Sequence, residues 1–413
     1  MRDLLFLAHR IPYPPNKGDK IRSWHMLRHF AERYRVHLGC FVDDPYDWRY
    51  RDALRSVCAE CCFVPLRRPI ARLRGLRALF DGGAITVRTY HSPVLKRWVD
   101  GLLDCHNSLH IFAYSSAMAQ FTMNARAAEH RRVIDFVDVD SEKWRQYGTA
   151  KPWPTRWIYR REGARLLAFE RAVAARFDAG LLVSAAEAAL FRELAPESSD
   201  KIHAIENGVD VDFFAPERVY AHPFDGEREV LVFTGAMDYW PNVDAVVWFA
   251  DSVFAALRAQ RPGLRFVVVG ANPAPAVAAL DRRPGITVTG RVADVRPYLA
   301  HAAVVVAPLR VARGIQNKVL EAMAMARPIV ATPEALAGLR AEPGRELAVA
   351  VDAEAFATAT AALLVDAGAA EMGARARRRV VADYGWSQAL APLDSLVSGV
   401  AGERRRERFS QAL

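Results

Sequence analysis

Short apolar runs alternate with amphipathic segments along most of the chain. In the first half the runs occupy positions 3–8, 36–42, 62–66, 108–114, 132–137, 178–184 and 201–205. In the second half they occupy 230–234, 264–269, 286–289, 302–309, 329–331 and 348–351. Short runs rich in β-branched residues are typical of strands buried on both faces of a parallel sheet. The rhythm restarts at 230, so the pattern predicts two α/β domains.

Helix patterns occupy the segments between these runs. They are predicted at about 19–33, 47–58, 115–128, 144–177, 243–259, 353–365, 369–381 and 386–400. Apolar residues that repeat at helical spacing, such as Ile21, Trp24 and Leu27, indicate the face of each helix that packs on a sheet. Strand, helix and strand therefore follow one another as in a doubly wound fold.

The stretch 314–332 (GIQNKVLEAMAMARPIVAT) carries the strongest functional pattern. It follows the apolar run 302–309 and contains a glycine, a helix pattern, and Pro328, which ends the helix before the next run. Leu320 and Met323 lie on one helical face, whereas Lys318 and Glu321 lie on another. The predicted unit is strand, glycine loop, helix, strand.

Ligands of open parallel sheets bind beyond the carboxyl ends of the strands, where residues 314–317 are expected. Amide groups at the start of a helix hold anions such as a diphosphate, and the Glu321 carboxylate can accept hydrogen bonds from two ribose hydroxyls. This pattern indicates a nucleotide-sugar site. An exposed ion pair between Lys318 and Glu321, with no ligand, remains an alternative interpretation.

The first half carries a second candidate site. Its first run leads into a loop rich in proline and polar residues, 9–18, and then into a helix, which is typical of phosphate or sugar cradles. The run 132–137 ends at Asp138 and Asp140, whose carboxylates are candidates for handling a proton or a sugar hydroxyl. A turn glycine without contact to any ligand is the plainer interpretation of Gly18.

Composition narrows the class of protein. With 413 residues and 52% hydrophobic composition, the chain can bury substantial cores. Its net charge of +9 favours anionic partners: nucleoside diphosphates, anionic lipid or nucleic acid. No run approaches the roughly 18 apolar residues that cross a bilayer, and no signal peptide is recognised, so we expect a cytoplasmic protein, either soluble or peripheral on the inner face of the plasma membrane. Five cysteines fit reduced thiols, and the group at 58, 61 and 62 lacks the second pair that zinc spacing requires.

Two segments mix cations with apolar residues. Segment 65–80 (PLRRPIARLRGLRALF) is a basic amphipathic helix pattern, and segment 144–165 interleaves tryptophans and tyrosines with lysines and arginines. Both compositions suit an anionic membrane surface, and a solvated surface helix explains the first equally well. Aromatic and basic residues also suit nucleic acid, but no nucleic-acid-binding signature accompanies them, so we expect no nucleic-acid partner.

Several short motifs together resemble a known family. They are HRIPYPPNKGDKIRSWHML, VIDFVDVDSEKW, ENGVD, FTGAMDYWPNVDAV, TGRVADVRPYL and the stretch 314–332. Their order and spacing resemble the retaining nucleotide-sugar glycosyltransferases of the GT-B fold, family 4 or group 1. Within that family they resemble the exosortase (PEP-CTERM)-associated sugar transferases of exopolysaccharide clusters.

The resemblance implies a fold and domain boundaries. GT-B proteins have two Rossmann-like, doubly wound domains facing a cleft. The acceptor-side domain is expected at 1–205 and the nucleotide-sugar donor domain at 206–385, with the final helix, 386–413, packing back on the first domain.

The resemblance also implies site residues. On the acceptor side it implies Asp138 and Gly18 as the catalytic set. On the donor side it implies Gly235, Gly314, Ile315, Gln316, Lys318 and Glu321, with Glu321 as the ribose ligand and no metal. We add Arg291 and Arg313 to the predicted donor set as hypothetical phosphate-binding cations.

The chain departs from the family at several of its motif positions. The usual arginine and lysine that clasp the diphosphate are Ala236 and Asn242 here, the first of two glutamates is Arg313, and Val137 stands where a histidine often precedes the aspartate. Arg291, Lys318 and Arg313 are candidates to replace the missing cations. Asp138-Val139-Asp140 also matches the metal-binding pair of the GT-A fold. That interpretation is disfavoured, because residues 210–212 repeat the pattern and the two tandem halves do not suit GT-A.

By resemblance, the function is transfer of a sugar from a nucleoside diphosphate sugar to a hydroxyl of a lipid-linked glycan, with no cofactor. The expected partners are therefore a nucleotide sugar and a glycan or lipid-linked acceptor. Two alternatives remain open: a nucleotide-sugar epimerase of the same fold, and a degenerate subunit that only binds a partner transferase. A dinucleotide oxidoreductase is disfavoured, because neither 5–15 nor 233–242 has the Gly-x-Gly-x-x-Gly spacing.

Overall fold

The structure is a computed structural model that describes residues 2–15, 17–106, 108–124, 130–149, 152–227, 229–312 and 314–399. The chain divides into two compact units, one from the N-terminus to Glu206 together with the segment from Leu390 onward, and the other Asn207–Ala389. The sequence predicts domain boundaries at 205/206 and 385/386. That the chain forms independent domains with these limits stays a prediction.

Among the described residues, seven parallel strands form the sheet of the first unit. They are β1 (Arg2–Ala8), β2 (Tyr34–Val42), β3 (Glu60–Pro65), β4 (Leu109–Tyr114), β5 (Arg132–Val137), β6 (Ala179–Leu182) and β7 (Ile202–Ala204). Their order is β3-β2-β1-β4-β5-β6-β7. The order reverses between β1 and β4, which makes the carboxyl ends of these two strands the place where a ligand can enter.

The described residues between β1 and β7 include eight helices. They are α1 (Gly18–Ala31), α2 (Arg51–Arg55), α3 (Arg68–Asp81), α4 (Ile85–Thr89), α5 (Pro93–Cys105), α6 (Asp140–Thr149), α7 (Thr155–Arg176) and α8 (Ala185–Leu194). The helix predicted at 47–58 is shorter than expected: a 3₁₀ helix at Pro45–Tyr50 precedes α2, which ends at Arg55. The helix predicted at 115–128 is wrong at its start, because Ser115 has φ 79° and a 3₁₀ turn, Ser116–Phe121, follows; residues 125–129 lie outside the described residues.

Six parallel strands form the sheet of the second unit. They are β8 (Val230–Thr234), β9 (Arg265–Val269), β10 (Ile286–Gly290), β11 (Val304–Ala307), β12 (Ile329–Ala331) and β13 (Ala348–Val349). Their order, β10-β9-β8-β11-β12-β13, reverses between β8 and β11. We call the carboxyl ends of β8 and β11, with the loops that follow them, the switch point of the second unit.

Nine further helices complete the described chain. They are α9 (Trp240–Phe249), α10 (Ala255–Gln260), α11 (Pro275–Ala278), α12 (Arg296–Ala300), α13 (Asn317–Ala324), α14 (Pro333–Leu336), α15 (Ala353–Val365), α16 (Ala369–Asp383) and α17 (Trp386–Ser398). A π turn, Ala250–Phe254, connects α9 to α10. The part of α17 from Leu390 belongs to the first unit, where the Asp394 carboxylate pairs with His29 Nε2 at 2.8 Å and Arg131 Nε donates to the Leu396 carbonyl at 3.0 Å. Residues 400–413, the end of the segment predicted as the final helix, lie outside the described residues.

Among the described helices, none alone combines the length and apolar character of a membrane span, although the bent pair α15 and α16, at 103°, passes on length and composition.

Candidate functional site

The switch point of the second unit brings together residues 76 positions apart. The ammonium group of Lys318, in the first turn of α13, donates a hydrogen bond to Asn242 Oδ1 in α9. Asn242 Nδ2 in turn donates to the carbonyl of Ala236 at 2.9 Å. The Lys318 ammonium also lies 4.8 Å from the ring centroid of Phe233, within range of a cation–π interaction. Asn242 therefore fixes the cation at the ends of β8 and β11.

Desolvation dominates the electrostatics of this site. Burial lowers the pKa of Lys318 to about 8, against the opposing attraction of Glu321. Burial also raises the pKa of Glu321 to about 7, although Lys318 opposes the shift. Within the described part of the chain, no hydrogen bond or ion pair engages the Glu321 carboxylate. Perturbed groups of this kind at the ligand edge of a sheet are candidates for binding or catalysis.

Close backbone approach explains the glycines of this site. A Cβ atom on Gly235 would lie 2.7 Å from Asn242 Nδ2, and one on Gly270 would lie 1.7 Å from the carbonyl oxygen of Gly235. The loops after β8 and β9 thus pack backbone against backbone, and Gly235 lies beside the asparagine that holds Lys318. A larger residue at 235 would displace that asparagine.

The loop before α13 contains three more of the residues predicted for the donor site. Gly314 has φ 61°, in the left-handed region that favours glycine. Gln316 Nε2 donates to the Gly314 carbonyl at 3.1 Å, and the Gln316 carbonyl accepts from the Val319 amide at 2.9 Å, which starts the helix. The Ile315 side chain is buried in the hydrophobic core, so only its backbone is available to a ligand.

Neither arginine predicted for the donor set is found next to Lys318 or Glu321 in the described chain. Arg291 is exposed directly after β10, two strands away from β8, and no hydrogen bond to Lys318, Asn242 or Glu321 is found in the described chain. Arg313 lies outside the described residues. A different arginine lies at the switch point: Arg310, after β11, donates from Nε to Asp244 Oδ2 of α9 at 3.0 Å.

In the first unit, the structure places a histidine at the end of β1. His9 Nε2 lies 3.5 Å from Asp19 Oδ2, and its ring stacks on Tyr114 with a centroid separation of 5.8 Å. His9 Nδ1 is buried without a hydrogen-bond partner among the described residues. Sequence reasoning missed this residue; its position directly after the first strand was the available signal.

The carboxylate behind this histidine is held ionised. Burial alone would raise the pKa of Asp19, but hydrogen bonding from His9 and the positive charge of Arg10 hold it well below its usual value. The Tyr114 hydroxyl donates to the Asp19 carbonyl at 2.9 Å, which ties the start of α1 to β4. An imidazole oriented by an ionised carboxylate is suited to proton transfer.

Neither Gly18 nor Asp138, the two predicted acceptor residues, has a hydrogen bond or ion pair with His9 among the described residues. Gly18 is exposed at the start of α1, and a Cβ atom there would meet nothing within 4 Å, so its role as a backbone contact stays a prediction. Asp138 Oδ2 accepts from Lys143 Nζ at 2.6 Å, and the same ammonium contacts Asp140 Oδ1 at 3.2 Å. An internal cation therefore lies between the two carboxylates of the Asp-x-Asp pattern.

Backbone strain marks the residue before Asp138. Val137 has φ 71°, which is an outlier for a β-branched side chain. Its amide donates to Asp135 Oδ1 at 2.9 Å, and Asp135 Oδ2 pairs with Arg22 Nε at 2.7 Å, with both side chains fully buried. The buried pair thus holds the strained turn in place.

Comparisons with known proteins bear on this geometry. Residues 228–366 match the family described as Glycosyl transferases group 1. This range includes Gly235, Asn242, Lys318 and Glu321. No curated protein matches the sequence. The family match supports a glycosyltransferase.

Solved structures resemble the whole chain. HepE from Anabaena, crystallised with UDP-glucose, has 14% identity and a TM-score of 0.67, covering 97% of this chain and 100% of that chain. Sucrose-phosphate synthase from Thermosynechococcus elongatus has 17% identity and a TM-score of 0.64, with 100% of each chain covered. A glycosyltransferase from Rickettsia africae has 12% identity and a TM-score of 0.64, covering 97% of this chain and 99% of that chain. The predicted GT-B fold, with its two doubly wound sheets, is confirmed.

A stability measurement tests the desolvation of Lys318. Its pKa in the folded protein, about 8, lies below its ordinary value of 10.5, so at pH 7 the folded state carries a charge that burial disfavours. We expect Lys318→Met to raise the free energy of unfolding at pH 7 by about 1–3 kcal/mol. The gain should shrink as the pH rises from 8 towards 10.5, because a neutral lysine carries no such penalty. Denaturant unfolding at pH 7 and pH 10 measures both.

Lys96→Met is the matched control, because Lys96 is a partly exposed lysine paired with Asp100 within α5. It should change stability little at either pH. A Lys318→Met variant that is less stable than the native chain at pH 7 would show that the lysine is not strained by burial.

Proposed function

We propose that the chain is a glycosyltransferase that moves a sugar from a nucleoside diphosphate sugar to a hydroxyl of a lipid-linked glycan in exopolysaccharide synthesis, with retention at the anomeric carbon. One observation carries the proposal. A half-buried lysine and a carboxylate without a described partner lie on one helix, at the point where parallel sheets bind ligands. HepE, which has the same fold, binds UDP-glucose, and this supports a uridine diphosphate sugar as the donor class.

The donor site holds the nucleotide through three kinds of contact. The Glu321 carboxylate accepts hydrogen bonds from the two ribose hydroxyls, for which it has free acceptor capacity. Backbone amides of 314–317 and the Lys318 ammonium bind the diphosphate, and Gly235 lets backbone approach a phosphate. As the sugar leaves, negative charge develops on the diphosphate, and the fixed cation and helix start stabilise it. The step needs no cofactor and no metal.

The first unit serves the acceptor. The His9 imidazole, oriented by ionised Asp19, handles the proton of the attacking hydroxyl, and Asp138 with Lys143 contacts the acceptor glycan. Here His9 supplies the imidazole that the sequence lacks at Val137.

A membrane surface is the proposed location. The face of α3 that packs on the protein consists of small residues, Ala71, Gly75 and Ala78. Its large apolar residues point outward instead: Leu73 is 61% exposed and Phe80 is 91% exposed. A helix that exposes its large apolar residues and also carries arginines is suited to insertion into the surface of an anionic bilayer.

A second element continues this surface. Trp153, just before α7, is 83% exposed, and Trp157 in its first turn is also exposed. Arg161 of α7 donates to the carbonyls of Ala78 and Gly83, at 2.5 and 3.1 Å, which ties α7 to the end of α3. Tryptophan at such a position is typical of a membrane interface. A protein held there would meet a lipid-linked acceptor directly.

Binding of UDP at varied pH tests the donor site. Tight binding requires charged Lys318 and ionised Glu321, whose pKa values are about 8 and about 7. The association constant, measured by calorimetry, should therefore be highest between pH 7 and 8 and fall on both sides. Glu321→Gln should weaken binding about tenfold, because charged hydrogen bonds are lost. It should also remove the change in the association constant near pH 7 that comes from ionisation of Glu321.

The control is Glu354→Gln, which changes an exposed glutamate of α15 and should leave the profile unchanged. No heat with UDP, GDP or ADP would favour the degenerate subunit over a transferase. Epimerised sugar formed from the donor without acceptor would favour the epimerase.

A kinetic experiment tests His9. We expect His9→Asn to lower kcat for glycosyl transfer by about 10²–10⁴, as loss of a general acid or base does. UDP affinity should stay at the native value, because the nucleotide binds in the second unit. His91→Asn, at an exposed position, is the control. A fully active His9→Asn enzyme would assign the proton to another group.

Sedimentation with liposomes tests the membrane surface. Vesicles containing anionic phospholipid should carry down the native protein, and the double variant Leu73→Ser/Phe80→Ser should remain in the supernatant, because both side chains are exposed and dispensable for packing. Val219→Ser removes a fully exposed apolar residue of the second unit and should not affect sedimentation. Equal sedimentation of the double variant and the native protein would discard the surface.

A further inference from the structure

We propose that Asp3, His37 and His106 form a binding site for a divalent metal of the zinc class in the first unit. One ligand atom from each residue lies within 4.8 Å of the others. His37 Nε2 is 2.8 Å from Asp3 Oδ1, and His106 Nδ1 is 3.6 Å from Asp3 Oδ2. Two imidazoles and a carboxylate are a ligand set that Zn²⁺ prefers.

Strand register and one covering helix bring these distant residues together. In the parallel sheet Asp3 is opposite Arg35, and His37 is opposite Glu60 of β3. Because side chains alternate along a strand, Asp3, Arg35, His37 and Glu60 share one face. Helix α5 covers this face, and His106 follows its last residue. The cluster therefore lies at the amino ends of β1 and β2, at the opposite edge of the sheet from His9.

Gly39 shows how closely α5 lies on the sheet. It is on the same face as His37, two residues along β2, and a Cβ atom there would lie 2.8 Å from Trp98 Cζ3 of α5. This close packing fixes the end of α5 and with it the position of His106.

The groups behind His37 complete the arrangement. Its Nδ1 atom is buried and has no hydrogen-bond partner among the described residues, and Glu60 Oε2 is 3.5 Å away. Glu60 is itself oriented by Trp98 Nε1, which donates to Oε1 at 2.6 Å. Histidine ligands of metals commonly donate their second ring N–H to a carboxylate. With Nε2 on the metal, Nδ1–H would face Glu60 in that manner.

Arg35 is the competing cation. Its Nε atom donates to Asp3 Oδ1 at 2.6 Å, and the side chain is 55% exposed. A metal bound to Asp3 would displace this guanidinium, which can move into solvent because the side chain is already exposed. Zinc binding and the arginine pair are therefore alternatives, and removing the arginine should favour the metal.

Equilibrium dialysis of the full-length, chelator-treated protein against Zn²⁺, with thermal unfolding in parallel, tests the site. The native chain should bind one equivalent and gain thermal stability. His106→Ala should weaken that binding at least tenfold and remove the gain, Glu60→Gln should weaken it about 10–100-fold, and Arg35→Ala should tighten it.

His91→Ala, which removes an exposed histidine elsewhere in the unit, is the control and should bind zinc as the native chain does. His106→Ala retains all five cysteines, so adventitious binding to thiols would persist in it. Equal binding by the native protein and His106→Ala, or no binding by the native protein, would overturn the site.

Discussion

The reversal of strand order in each parallel sheet determines where polar side chains can gather in this protein. Between β8 and β11 the chain turns to opposite faces, so the two loops separate and leave their polar groups without sheet partners. In the second unit, the hydrogen bond from Lys318 to Asn242 connects α13 to α9, the two helices that follow these loops. It fixes a cation at the switch point, and the neighbouring Glu321 carboxylate has no hydrogen-bond or ion-pair partner among the described residues.

This arrangement costs stability, and other contacts offset the cost. Lys318 and Glu321 are both desolvated. The loops at Gly235 and Gly270 pack so closely that neither position has room for a Cβ atom. In the first unit, the buried pair of Arg22 and Asp135 holds α1 and the strained Val137. Removing one partner of such a pair leaves an uncompensated buried charge, at about 3–5 kcal/mol. In each unit, then, buried contacts hold the polar loops at the carboxyl ends of the strands: the glycine packing in the second unit and the Arg22–Asp135 pair in the first.

Much of the fold follows from local pattern, whereas the site depends on long-range contacts. The apolar runs predicted the strands, and the spacing of Leu320 and Met323 predicted the buried face of α13. Asn242 was interpreted only as a lost cation, because its role depends on a residue 76 positions away. The partner of Lys318 proved to be that asparagine and not Glu321. His9 and the cluster around Asp3 were missed for the same reason, since their partners come from separate strands and helices. The helix predicted at 47–58 is shorter in the structure for a local reason: a 3₁₀ helix that begins at Pro45 occupies the segment as far as Tyr50, and α2 spans only Arg51–Arg55.

A crystal structure of the full chain with bound UDP would show whether Glu321 and Lys318 form the donor site. We expect a Glu321 carboxylate oxygen within hydrogen-bond distance of the ribose hydroxyls, with the diphosphate against the Lys318 ammonium and the backbone of 314–317. UDP bound elsewhere, or with its ribose away from Glu321, would contradict this expectation.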